Sequence, residues 1–270
     1  MLPAGPDLPV CHHLRRLSGR GKEVGPVQRQ RPGGLGASGP RRTLGVTGSL
    51  GGGYAESVHD AGPTVNAVLA AAQVGDPEAR LVILAGPPGS GKSTLAQQLL
   101  RLLPQVVCID KDWTAGGFVL EAARQQGLDE SEAYGHPHYW QRLRPLEYGG
   151  AVTSACANLV GRRTVLLSGG WGPELADFDL WPRLAAAIAP ATFDVLHLDA
   201  PTVSTWQSRM RRRGSRAESP WFEAFAARLT ATPVWPGAQR LSTDGAIHDL
   251  VQRTLAALGL TPIGLTPSRG

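Results

Sequence analysis

The chain is 270 residues long, enough to bury one full core with an extension to spare. Its formal charge of +5 is local: residues 1–62 hold eight Lys/Arg against four Asp/Glu, residues 63–270 nineteen against eighteen, so a nucleic-acid role gains little support from it. No apolar run reaches eighteen residues and no compact secretory signal opens the chain, so no membrane span is expected; Cys11, Cys108 and Cys156 lack metal-ligand spacing and read as reduced thiols of a cytoplasmic protein.

In chain order, residues 1–62 carry fourteen Gly and six Pro with few large apolar side chains. Such a segment cannot offset the entropy of ordering and is expected to be a disordered extension. From residue 63 to about 262 short apolar runs alternate with helical patterns, the signature of a mostly parallel sheet covered on both faces. Strands are expected at 81–85, 106–109, 164–167, 193–198 and 240–242. A leading helix is expected over 64–74 and a second over 93–103, stopped by Pro104. The longest helical stretch falls at 131–161, with Pro145 and the Gly149-Gly150 pair set to kink or split it. Further helices are expected at 177–188, 202–213, 219–231 and 245–258, the last entered through Asp244 and Gly245. Residues 263–270 read as a flexible tail.

Between the first strand and the second helix, Gly86-Pro87-Pro88-Gly89-Ser90-Gly91-Lys92-Ser93-Thr94 fits G-x-x-x-x-G-K-[ST]. Amides of a glycine-rich loop can wrap a di- or triphosphate because no Cβ blocks the approach, and the following helix points its N-terminal donors at the same anion. Lys92 would reach the β- and γ-phosphates and the Ser93 hydroxyl would ligate Mg²⁺. A plain glycine turn would need neither side chain at those places.

The second strand runs into Asp110-Lys111-Asp112-Trp113. Ligands of an open parallel sheet bind beyond the carboxyl ends of its strands, so both carboxylates should emerge beside the phosphate loop. There a carboxylate can take a proton from an attacking hydroxyl or bind Mg²⁺ through water; either one alone can instead cap the next helix. The third strand ends in Ser168-Gly169-Gly170-Trp171, without the aspartate that a hydrolytic motor would place there. Arg209, Arg212, Arg213 and Arg216 recur every three or four residues. Their mutual repulsion calls for solvent, as on a basic helix face, or for a polyanion such as a triphosphate, for which Arg209 and Arg213 are the first candidates and Arg216 the next.

The least sheet-like part, residues 113–148, is expected to bind the acceptor. Its aromatic and polar side chains, Trp113, His138, Trp140 and Arg142 among them, with Ser168 and Trp171 at the border, suit a hydroxylated small molecule. The same side chains also suit the core of a helical insertion. His136 and His138 are too few for a closed zinc site.

Together GPPGSGKST, IDKDW and WQSRMRRRGSRAESPWFEAF resemble the small P-loop kinases grouped with zeta-toxin-like kinases, chloramphenicol phosphotransferase and the kinase domain of polynucleotide kinases, over roughly residues 80–258. The resemblance implies a three-layer, nucleotide-kinase-like α/β fold with a helical lid at 204–220. It implies that Asp112, or failing it Asp110, is the base toward the substrate hydroxyl, and that lid arginines stabilise the transferred phosphoryl group. The expected activity is transfer of the γ-phosphoryl of Mg·ATP to a hydroxyl of a sugar, nucleoside or antibiotic-like metabolite. The alternatives are a nucleotide-dependent switch or NTPase without such an acceptor, and a kinase acting on a nucleotide sugar or a nucleic-acid end.

Overall fold

The computed structural model describes residues 60–215 and 217–261; the remainder of the expected extension, Arg216 and the expected tail lie outside the described residues. Five strands, β1 (Arg80–Ala85), β2 (Val106–Asp110), β3 (Thr164–Ser168), β4 (Thr192–Leu198) and β5 (Gln239–Leu241), form one sheet in the order β2-β3-β1-β4-β5, parallel throughout. The helices are α1 (Gly62–Ala71), α2 (Lys92–Leu102), α3 (Lys111–Gln125), α4 (Arg144–Cys156), α5 (Leu180–Ile188), α6 (Val203–Arg212), α7 (Trp221–Ala231) and α8 (Ile247–Leu258).

The central strand β1 reads as an unbroken apolar run because both its faces are covered. Leu81, Ile83 and Ala85 pack with α1, α4 and α5, while Val82 and Leu84 pack with α2 and α8. The result is the expected three-layer α/β architecture. No helix among the described residues is long and apolar enough to cross a membrane. Cys108 and Cys156 are unpaired, and burial pushes the Cys108 thiol up to about 12.

Three local expectations change. The stretch 131–161 is not one helix broken at Gly149-Gly150: a short 3-10 turn, Glu130–Gly135, is followed by a widened π turn, Tyr139–Leu143, that runs into α4. Pro137 follows the first turn, and Pro145 sits in the first turn of α4, where a missing N–H is tolerated. Gly149 lies within α4, and a Cβ there would stand 3.4 Å from the Ala67 carbonyl oxygen, so this glycine marks the close packing of α4 on α1. Second, α3 fills much of the stretch from 113, a region read as helical but given no helix bounds. Its exposed Trp113 and Phe118 and its Gly116-Gly117 pair blur the apolar stripe, and its buried face is Lys111, Gly116, Val119 and Ala123. Third, Asp244 does not cap α8: its carboxylate accepts from the Thr202 N–H at the entry of α6, at 3.1 Å.

The order of the strands puts β1 between β3 and β4, so the loop leaving β1 emerges at the middle of the sheet's carboxyl edge. That exit is tight. Gly86 has φ +143°, and a Cβ on it would meet the Leu198 carbonyl oxygen at 2.5 Å. Gly86→Ala is therefore expected to destabilise the fold by about 1–3 kcal/mol from backbone strain alone. Equilibrium urea unfolding measures this.

Candidate active site

Three strand ends meet here. The loop after β1 turns through Gly86, Gly89 and Gly91, all at positive φ, and Gly91 is the residue from which α2 starts. Lys92, in the first turn, folds back across the loop and donates to the carbonyl oxygens of Gly86 at 2.8 Å and Pro87 at 3.0 Å. Burial lowers its pKa from 10.5 to about 8; Arg213 and Lys111 act in the same direction, while Asp112 and Asp110 oppose it. Four charged groups from β2, α3 and the end of α6 are thus within electrostatic reach of Lys92. Ser93 is half-buried in the same turn, and Thr94 is exposed.

Asp110 closes β2 and is 4% exposed. One carboxylate oxygen accepts the Asp112 N–H at 3.0 Å, capping α3, and the other accepts from the Ser168 hydroxyl at 2.9 Å. Ser168 stands in register with both Leu84 of β1 and Asp110 of β2, so it is the side chain that joins the loop strand to this carboxylate. Burial, with Asp112 nearby, raises the Asp110 pKa above its ordinary value. Both oxygens of Asp110 are thus engaged in holding strand ends and a helix start.

Asp112 is different: its side chain is 60% exposed and its Oδ1 lies 2.6 Å from Lys111 Nζ. Behind it runs a buried chain of charges. Lys111 Nζ reaches Glu147 Oε1 at 3.2 Å, and Tyr139 donates to Glu147 Oε2 at 2.8 Å. Arg144 donates to Tyr139 at 3.3 Å and grips Glu174 with two hydrogen bonds of 3.0 and 2.6 Å. The rings of Tyr134 and Tyr148 stand 5.4 Å from the Lys111 ammonium, and those of Trp140 and Tyr148 within 4.6 Å of the Arg144 guanidinium. Burial lowers the Lys111 pKa, but Tyr148, Asp112, Tyr139 and Glu147 together outweigh this and hold it above the usual lysine value.

The helix α6 lies against the loop. Trp206 Nε1 donates to the Pro88 carbonyl oxygen at 2.6 Å, and a Cβ on Gly89 would stand 3.2 Å from both Trp206 and Met210. Arg209 donates to Thr243 O at 3.0 Å and Ser90 O at 3.5 Å, so it binds backbone on both sides. Arg213 is exposed, directly beyond α6.

The structure thus brings Gly86–Ser93, Asp110, Asp112, Ser168, Arg209 and Arg213 to one edge. It scatters the expected acceptor contacts. Trp113 is exposed beside Asp112, and Arg142 is exposed on the π turn. Trp140 lies against Arg144, whereas His138 lines a small cavity with His136, Val119, Ala123 and Leu143. Trp171 is 1% exposed and packs against Tyr148 and Trp181 in the core, so no face of its ring is open to an acceptor. Lys111, Glu147 and Glu174 were not singled out as site residues. Lys111 sits inside the D-x-D segment, but its partner Glu147 is 36 residues away and no local pattern connects them.

Strand, glycine loop, lysine and helix N-terminus define a P-loop α/β protein. A protein-family model described as magnesium chelatase, subunit ChlI, matches residues 63–154. Among solved structures, the chain is similar to a tunicamycin resistance protein of Deinococcus radiodurans, at 18% identity over 68% of this chain and 98% of that one, with a TM-score of 0.43. It is similar to a sugar kinase from Janibacter sp. HTCC2649 at 18% identity, over 68% and 96% of the two chains, TM-score 0.40. A shikimate kinase from Bacteroides thetaiotaomicron is 19% identical over 67% and 99%, TM-score 0.42. No curated protein matches the chain.

Two tests follow from the geometry. Lys92 with a pKa of about 8 is charged below that pH and loses its proton above it. Nucleotide affinity should therefore fall as pH rises through 8, by up to about tenfold per pH unit, while in Lys92→Arg, charged throughout, that fall is absent. Titration calorimetry across this range reads the change. Glu174→Gln leaves the Arg144 guanidinium buried without its counter-ion and should cost about 3–5 kcal/mol in urea unfolding, whereas Arg144→Met with Glu174→Leu should cost far less.

Proposed function

We propose that this protein is an ATP-dependent phosphotransferase whose acceptor is a hydroxyl of a small molecule. The observation that carries the reading is Asp112. It is the one of the two carboxylates after β2 that is open to solvent, and its charge is felt by Lys92 at the P-loop. Asp110, by contrast, is occupied with capping α3 and with Ser168.

In this reading the amides of Gly89 and Gly91 and the Lys92 ammonium hold the β- and γ-phosphates. Arg213 lies on the same side and offsets charge that builds on the moving phosphoryl group. Asp112 accepts the proton of the acceptor hydroxyl while that oxygen bonds to the γ-phosphorus and the bond to the ADP oxygen breaks. Mg²⁺ fits this donor set: Ser93 offers a hard hydroxyl oxygen that makes no hydrogen bond among the described residues, and phosphate oxygens are the usual further ligands. Bound there, the ion would supply neutralising charge. Ser168 at the end of β3, where hydrolytic motors carry an acid, supports transfer to an acceptor over hydrolysis.

Lys92→Ala is expected to abolish turnover in a protein that still folds. Asp112→Asn should bind ATP nearly as well as the parent while kcat falls by at least about a hundredfold. The assay is ATP consumption across sugars, nucleosides and hydroxylated antibiotics, with product mass checked for one added phosphate. Full activity in Lys92→Ala would remove the assignment. ATP turnover that no added acceptor accelerates would replace it with an NTPase.

A further inference from the structure

We infer that Lys111 is a positioning residue for Asp112, and that Glu147 in turn holds Lys111; the inference rests on Asp112 being the base. Three carboxylate and ammonium groups stand in line from the site into the core, and their side-chain exposures fall from 60% at Asp112 to 8% at Lys111 and 1% at Glu147. Lysines are rarely buried, and this one opens α3, where the positive end of the helix dipole disfavours a cation. Glu147 and the rings of Tyr134 and Tyr148 hold the inner side of the buried ammonium. An ion pair with so exposed a partner as Asp112 adds little stability. What it does is fix a carboxylate. Asp112 Oδ1 is held at 2.6 Å while its own N–H is held by Asp110, so both ends of the residue are tied and Oδ2, which makes no hydrogen bond among the described residues, is left for the acceptor.

Glu147 is fixed by a second donor, Tyr139, at 2.8 Å, so Lys111 is aimed from α4 and not only from its own helix. Losing the ammonium frees the carboxylate to rotate away from the reacting hydroxyl, and a general base that is out of reach contributes nothing.

A double-mutant cycle tests this, using ATP turnover with the acceptor found by the screen or with water in its place. Lys111→Met should lower kcat by about tenfold or more with the ATP Kd unchanged. Combined with Asp112→Asn it should cause no further fall, because it acts only through that carboxylate. Lys111→Arg should recover much of the loss. Should Lys111→Met fold poorly with Glu147 left unpaired, Lys111→Met with Glu147→Leu removes the buried charge and is read the same way. A fall in kcat that adds fully to that of Asp112→Asn, or no fall at all, overturns the inference. Unchanged kcat in Asp112→Asn by itself overturns the reading of Asp112 as the base, which separates the two failures.

Discussion

Burying two cations beneath the carboxyl edge of the sheet is the constraint on which the rest of the structure depends. Lys111 and Arg144 are 6% and 5% exposed, and neither is tolerable there without an anion. Glu147 and Glu174 supply the anions, and aromatic faces fill the space around them. To make these pairs, α4 must lie against both the start of α3 and the segment after β3. The same network thereby fixes the depth at which Asp110 and Asp112 leave β2. The carboxylate nearest the P-loop is the outer end of a chain whose inner end, Glu174, is fully buried.

The sheet was legible because its physics is local. Strands covered on both faces read as near-continuous apolar runs, and those in β1 and β3 could be read directly. The P-loop was legible because its glycines, lysine and hydroxyl are needed at fixed spacing for one anion. Their spacing carried the site's position before any contact was known.

What stayed hidden is long-range. Nothing near Glu174 in sequence suggests a partner 30 residues earlier, and nothing near Lys111 suggests one 36 residues later. The acceptor region was read by composition, and composition does not separate an aromatic wall from an aromatic core: Trp171 has the same letters either way and lies in the core. The periodicity of the arginines does not reveal that Arg209 spends its donors on the carbonyls of Ser90 and Thr243. Helix α3 was obscured by Gly116, Gly117 and the exposed Phe118, although the capping role open to Asp110 was visible as one of its two readings.

Trp206 belongs to two structures at once. Its ring is packed with Met210, Phe222 and Ala226, the small core that unites α6 with α7, while its indole N–H is bonded to Pro88, 118 residues earlier. A side chain shared in this way makes the shape of the glycine loop and the stacking of α6 on α7 a single mechanical element. A change in the interior of that helical pair is therefore transmitted to the phosphate loop through this one ring.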